Sequence, residues 1–191
     1  DVVALETTIS ASCRLFVNTE QSDVPTVLID FGTVSSDITI YDKTLIVTGT
    51  VLGGGDSFTD LIAKYLGMDK VNANTIKSKY GLGVSKKQKE ISEALAPLLE
   101  QLLKEVRRML RYYEDRNTVN RKISQIVTLG GGASMPGLSE FMTSHLRLPV
   151  RMCDPWHKLS FSHISPPSSS EKSLYSTVAG LALIDSQEIF E

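Results

Sequence analysis

Thr26-Val27-Leu28-Ile29-Asp30-Phe31-Gly32-Thr33-Val34-Ser35-Ser36-Asp37 is the stretch that decides the fold. Its first six residues form a nearly continuous apolar run suited to a strand buried on both faces. After a short polar turn, Ser36 to Tyr41 alternate through Ile38 and Ile40, and Asp42-Lys43 leads into a second β-branched run, Thr44 to Val51. Strands joined by such short turns make an antiparallel meander. Asp30 stands at the end of the buried run, where a carboxylate is costly unless something cationic meets it. Gly32 lets a ligand approach the backbone, and the Thr/Ser hydroxyls with successive N–H groups can cradle an anion. Such a carboxylate can also hold the Mg²⁺ that accompanies phosphate, usually through water. Alone, the pattern fits an ordinary polar hairpin as well.

Downstream, Gly53-Gly54-Gly55-Asp56 ends the meander, and Asp56 is the expected N-cap of a helix carrying Phe58, Leu61, Ile62, Tyr65 and Leu66. A polar helix is predicted over 71–80, closed by Gly81. A long amphipathic helix is predicted over 85–115, with a kink or break at Pro97. Ile123 to Leu129 is the fourth strand candidate, followed by Gly130-Gly131-Gly132-Ala133-Ser134-Met135-Pro136-Gly137. There Ser134 is the expected N-cap and Pro136 belongs in the first turn of a helix ending near His145. A short strand over 149–152, a Ser/Pro-rich loop over 165–173 and a closing amphipathic helix over 173–184 complete that side. Upstream, Val2-Val3-Ala4-Leu5 reads as a short strand before a helix over 7–16. This order predicts a mixed-sheet α/β layout with an inserted helical subdomain.

The 191 residues, 41% of them hydrophobic, are enough for a real apolar core and exclude a disordered or collagenous chain. No apolar run approaches the roughly 18–20 residues that span a bilayer, and no basic-then-apolar leader opens the sequence. Cys13 and Cys153 have no Cys/His company, so buried thiols in a reducing compartment are expected rather than a bridge or zinc site. The net charge of −2 hides an asymmetry: residues 70–122 hold 13 Lys/Arg and 6 Asp/Glu, an excess of +7, leaving −9 for the rest. The stripe through Lys86, Lys87, Lys89, Lys104, Arg107, Arg108 and Arg111 suits a solvated helix face, phosphates or an acidic partner. It lacks interleaved aromatics, so no single-stranded nucleic-acid platform is expected.

The triple-glycine loop also follows a buried strand and precedes a helix. Bare backbone there can lie against a sugar or base, while the helix N-terminus attracts phosphate; a tight strand-to-helix turn is the plainer reading. Neither G-x-G-x-x-G nor a P-loop occurs, and no G-x-S-x-G elbow supports a serine nucleophile. His145, His157 and His163 match no helical ligand spacing.

A meander with Asp-x-Gly in its first turn, a helical insertion, then a triple-glycine loop resembles the second lobe of the actin-like (ribonuclease H-like) ATPase fold. Within it the chain resembles the PilM family of type IV pilus assembly, with the FtsA family second. The resemblance rests on Val3-Ala4-Leu5-Glu6, Leu28-Ile29-Asp30-Phe31-Gly32, Gly53 to Thr59, Leu129 to Leu138 and Cys153-Asp154-Pro155-Trp156.

The resemblance implies ATP and Mg as cofactors. Asp30 would hold Mg through water, Gly32 and Thr33 would lie near the terminal phosphates, and Gly130, Gly131, Gly132 and Ser134 would cradle adenosine. The family's Ala-Glu-x-x-Lys, whose Glu and Lys meet the ribose and adenine, reads Ala73-Asn74-Thr75-Ile76-Lys77 here, so the resemblance keeps that role for Lys77 and leaves Asn74 to hydrogen-bond a ribose hydroxyl without charge. Ala179-Gly180-Leu181-Ala182 is similar to the second connecting helix.

The resemblance also divides the chain: 1–20 as the tail of a first lobe (strand plus helix), 21–66 with 123–191 as the sheet subdomain, and 67–122 as the helical one. The family's other Asp-x-Gly hairpin has no counterpart, so half a nucleotide cleft is expected, with at most slow ATP turnover. A cytoplasmic adaptor is implied, reaching the membrane only through the N-terminal segment of a PilN-like inner-membrane protein, with self-association as a further candidate and nucleic acid as none. An FtsA-like filament module with a vestigial site is the alternative. A sugar or acetate kinase would need a catalytic base outside this sequence.

Overall fold

The computed structural model describes all residues except 1, 3, 20–22, 118–120, 158–159, 163–164, 166, 169–170 and 186–191. The meander forms as β1 (Thr26–Phe31), β2 (Ser35–Asp42) and β3 (Thr44–Leu52), each antiparallel to the next. β4 (Gln125–Leu129) lies parallel to β1, and β5 (Val150–Met152) parallel to β4, giving a mixed five-stranded sheet in the order β3-β2-β1-β4-β5. The helices are α1 (Thr8–Thr19), α2 (Gly55–Leu66), α3 (Lys70–Lys79), α4 (Gln88–Arg116), α5 (Leu138–Leu146) and α6 (Ser176–Ala182).

Strand alternation sends Val27, Ile29, Phe31, Ile38 and Ile40 to one face, where they share a core with the buried stripe Leu95, Leu99, Leu102, Val106 and Met109 of α4. The inserted helices therefore share the core of the sheet. On the other face, Leu28, Val127 and Leu129 meet Cys13, Leu15 and Phe16 of α1 and Ala179 of α6. These helices cross closely: a Cβ on Gly180 would lie 2.0 Å from the Ala11 carbonyl oxygen. Cys13 and Cys153 are both buried, and no disulfide joins them.

Several local expectations need correction. Described residues of 1–7 form no strand; Val2 and Leu5 are exposed and find no partner for a ladder. Gly54, not Asp56, caps α2, because Gly55 and Asp56 donate their N–H groups to the Gly32 and Thr33 carbonyls at 2.9 and 3.0 Å. Asp56 sits in the first turn, where its charge suits the helix dipole.

α4 runs unbroken through Pro97. Pro97 lies on its exposed side, so the carbonyl left without a donor at exposed Glu93 is solvated, while Ala94, Leu95, Leu98 and Leu99 stay packed. Ser134 does not cap α5. It ends a 3₁₀ turn, Gly131–Ser134, donating its hydroxyl to the Gly131 carbonyl, and Gly137 at φ 78° caps the helix instead, with Pro136 outside it. The closing helix is shorter than expected, a 3₁₀ turn (Lys172–Tyr175) followed by α6. Parts of the polar turn at 117–121 and of the Ser/Pro-rich loop lie outside the described residues.

Candidate nucleotide site

At the end of β1, Asp30 sits on the α1 face of the sheet beside Leu28 and directly opposite Asp37 of β2. Its Oδ2 accepts a hydrogen bond from the Ser12 hydroxyl of α1 at 2.9 Å, and Asp37 accepts one from Thr50 at 2.6 Å. No Lys or Arg pairs with either carboxylate among the described residues. Burial pushes the Asp30 carboxyl above its usual pKa; the Ser12 bond offsets part of that shift, and the charge of Asp37 adds to it.

Gly130 follows β4, whose Leu129 is the register partner of Asp30. It adopts φ 78°, and a Cβ there would lie 2.4 Å from Asp30 Oδ1 and 2.6 Å from the Phe31 carbonyl oxygen. Only glycine tolerates both the dihedral and the approach. The two motifs thus touch rather than merely face one crevice. The hairpin turn is also tied to the start of α2, since Gly53 donates to Val34 and Ser36 to the Gly53 carbonyl, both at 2.9 Å.

Between these loops opens a cleft of about 370 Å³ whose walls include Asp30, Gly32, Thr33, Lys77, the three glycines and Ser134. Lys77 reaches it from α3 but donates to the Gly55 carbonyl and the Thr59 hydroxyl, both at 2.8 Å. Burial lowers its pKa, and Asp56 offsets part of that. Lys77 therefore pins α3 to the first turn of α2 with two of its three donors. Asn74, exposed one helical turn before Ser78, is not among the lining residues.

Sequence reasoning missed Asp56, Leu174, Ser176 and Thr177, which complete the walls, and Ser12, which holds Asp30. Asp56 lies in the Gly53 to Thr59 stretch but reads there only as a helix cap, while no motif marks Ser12, Leu174, Ser176 and Thr177, which arrive from elements distant in sequence. The charged first turn of α2 was the one available signal. His145 bonds locally at the end of α5, His157 lies in a turn, and His163 is outside the described residues. Among the described residues no cluster of three or more His, Cys, Asp or Glu could hold a metal, and no helix is long and apolar enough to cross a membrane. Asp30, half-buried at the cleft, is a carboxylate there that could hold a divalent cation, chiefly through water.

Comparison with curated proteins gives no match. Solved structures match well. A PilM–PilN type IV pilus biogenesis complex superposes with a TM-score of 0.75 at 23% identity, covering 95% of this chain and 52% of that one. The ethanolamine utilization protein EutJ from Carboxydothermus hydrogenoformans gives 0.64 at 19% identity, over 95% and 55%. MreB5 of Spiroplasma citri bound to ADP gives 0.67 at 15% identity, over 96% and 60%. The fold is that of the actin-like ATPases, and the chain spans a little over half the length of these structures. Residues 1–186 match the family of the type IV pilus assembly protein PilM. The chain belongs to that family.

Proposed function

We propose that this chain forms one wall of a Mg·ATP site in a PilM-type adaptor of type IV pilus assembly. The observation that carries this reading is the convergence of the Asp30 hairpin, the triple-glycine turn and the Lys77 helix on one cleft. Asp30 suits the role of Mg²⁺ holder: it is a half-buried carboxylate at the cleft that no Lys or Arg pairs with among the described residues. Gly32 and Thr33 would attend the phosphates. Gly130, Gly131, Gly132, Ser134 and Lys77 would flank adenosine, with Lys77 chiefly fixing the position of α3. Asn74 is left out of this set by its place on α3. The MreB5 structure bound to ADP lends the nucleotide reading support from the fold.

The proposed boundaries are a tail over 1–20, a sheet subdomain over 21–66 with 123–191, and a helical subdomain over 67–122. A second lobe would close the cleft. Leu174, Val178 and Leu181, at 62, 61 and 44% exposure, form an apolar stripe with helical spacing, and Leu174 also lines the cleft. Turnover, where it occurs, is slow and requires residues of that lobe. The protein works in the cytoplasm, with nucleotide setting the angle between lobes that partners read. The N-terminal segment of a PilN-like inner-membrane protein binds mostly to the other lobe.

Calorimetry with Mg·ATP on this chain, and on a form extended N-terminally by one lobe, tests the reading. Tight binding is expected in the longer form and weak binding in the shorter. No binding in either would sink it and favour an FtsA-like interaction module, a rival that the internal bonds of Lys77 also favour.

A further inference from the structure

β3 is an unusual sheet edge. Its nine residues, Thr44–Leu52, include no charged side chain and no proline, and among the described residues it pairs with β2 alone. The irregularity between Ile40 and Tyr41 lies near the start of β3, so the ladder from Val47 to Leu52 is regular. A long regular edge offers a row of unpaired N–H and C=O groups, which proteins usually blunt with charge, proline or a bulge, or cover.

What lies beside this edge is basic. Thr50 and Val51 share a hollow of about 280 Å³ with Gln101, Lys104, Arg108 and Arg111 of α4. Lys104, Arg108 and Arg111 occur at positions i, i+4 and i+7 and are all exposed. The acidic residue in the hollow, Glu105, is engaged by Arg108, whose Nε donates to it at 2.9 Å. Lys104 and Arg111 have no ion pair among the described residues. Past Gln101, Leu52, Leu61, Pro97 and Leu98 line a second hollow of about 370 Å³, together with Ser57 and with Asp60, whose carboxylate Lys70 engages at 2.6 Å. Leu52 is 77% exposed.

We propose that the β3 edge and the Lys104–Arg111 stripe form a docking site for an extended acidic segment of another protein, which adds to the sheet as a sixth strand. Backbone pairing along β3 supplies the affinity, and alternate side chains supply the choice of partner. Residues of the segment on the α4 side are acidic every second position, with a large apolar residue at the Leu52 end. A second copy of this chain fits poorly. Continuing the sheet through two antiparallel β3 strands needs a two-fold axis perpendicular to it, which puts both α4 helices on one face and sets the two basic stripes against each other. Nucleic acid would answer the charge but has no amide ladder for the edge.

The test uses this 191-residue chain and a fluorescent peptide as long as β3, alternating Glu with Val and ending in Leu. Anisotropy should report saturable binding that weakens as salt rises, and the amides of β3 should gain protection from hydrogen exchange. The double variant Lys104→Glu with Arg111→Glu changes two exposed side chains, so its melting temperature should hold while its affinity falls roughly tenfold or more. A peptide with alternate amides N-methylated, and one with Lys in place of Glu, should both fail. Absence of binding overturns the proposal. So does equal binding of the N-methylated peptide, equal competition by oligothymidylate, or a peptide-independent dimer that protects β3.

Discussion

The two faces of the sheet come from the same strands but are covered in opposite ways. On one face, Ile29, Phe31, Ile38 and Ile40 meet Leu95, Leu99, Val106 and Met109 through large side chains that interdigitate. On the other, α1 and α6 lie close, backbone against small residue, and the Ser12 hydroxyl reaches across to Asp30 of β1 at 2.9 Å. The first face stabilises the protein by burying area. The second holds a carboxylate in place at the cleft. The second face buries an apolar set of its own, with Leu15, Phe16, Leu28, Val127 and Leu129, and what the alternation within β1 adds there is the placement of Asp30 at the cleft.

The largest effect should come from the thick face. Leu95 is fully buried in the core that α4 shares with the sheet. Leu95→Ala should cost about 3 kcal/mol in chemical denaturation, as deletions in close-packed cores do. A loss well under 1 kcal/mol would mean that the inserted helices do not share that core.

The thin face should respond to an added atom instead of a removed one. Ala at position 180 would improve helix propensity by roughly 1 kcal/mol, yet its Cβ would lie 2.0 Å from a backbone oxygen that cannot rotate away. Gly180→Ala is expected to destabilise by about 2 kcal/mol net. Hydrogen exchange should show protection lost along α1 while α4 keeps its own. A more stable Gly180→Ala protein would break the contrast between the faces.

The same contrast explains what could be read from the chain and what could not. The meander was legible because β1 is a short continuous apolar run, β2 alternates with period two and tight turns join the strands, and the α4 stripe because its apolar positions recur every three or four residues. Both signals are local. The caps were misread for a tertiary reason: Asp56 and Ser134 have good capping chemistry, but the start of α2 is already satisfied by the Gly32 and Thr33 carbonyls, and Gly137 redirects the chain into α5. Pro97 was expected to kink or break α4; the helix does not break there, because the carbonyl the proline orphans belongs to exposed Glu93 and the buried stripe continues past it. In the cleft, Asp30 and the glycines announce themselves. Ser12 and Ser176 do not, since nothing in a helical serine foretells which strand end it will meet. Lys77 lines the cleft as the motif implied, but two protein acceptors take its donors first.

The finest test of the comparison is electrostatic and concerns Asp30 itself. Its folded pKa lies above the usual 3.8, chiefly because burial disfavours the charged form. The folded protein then binds more protons than the unfolded chain between those two values, so stability falls as pH rises from 3.8 through the folded pKa and stays depressed above it. Asp30→Asn removes that penalty and keeps a side-chain oxygen for the Ser12 hydroxyl. The variant should melt at a higher temperature than the parent at pH 7, and the two should converge as pH falls below 3.8. On the proposed function, the same change in the longer protein should weaken Mg·ATP binding, since the carboxylate meets the cation only when ligand is present. A stabilised protein that binds less nucleotide would mark Asp30 as a residue kept at the expense of folding. A variant less stable than the parent at pH 7 would instead mean that the thin face is held together by that charge, and the division of labour between the two faces would fail at the residue on which it most depends.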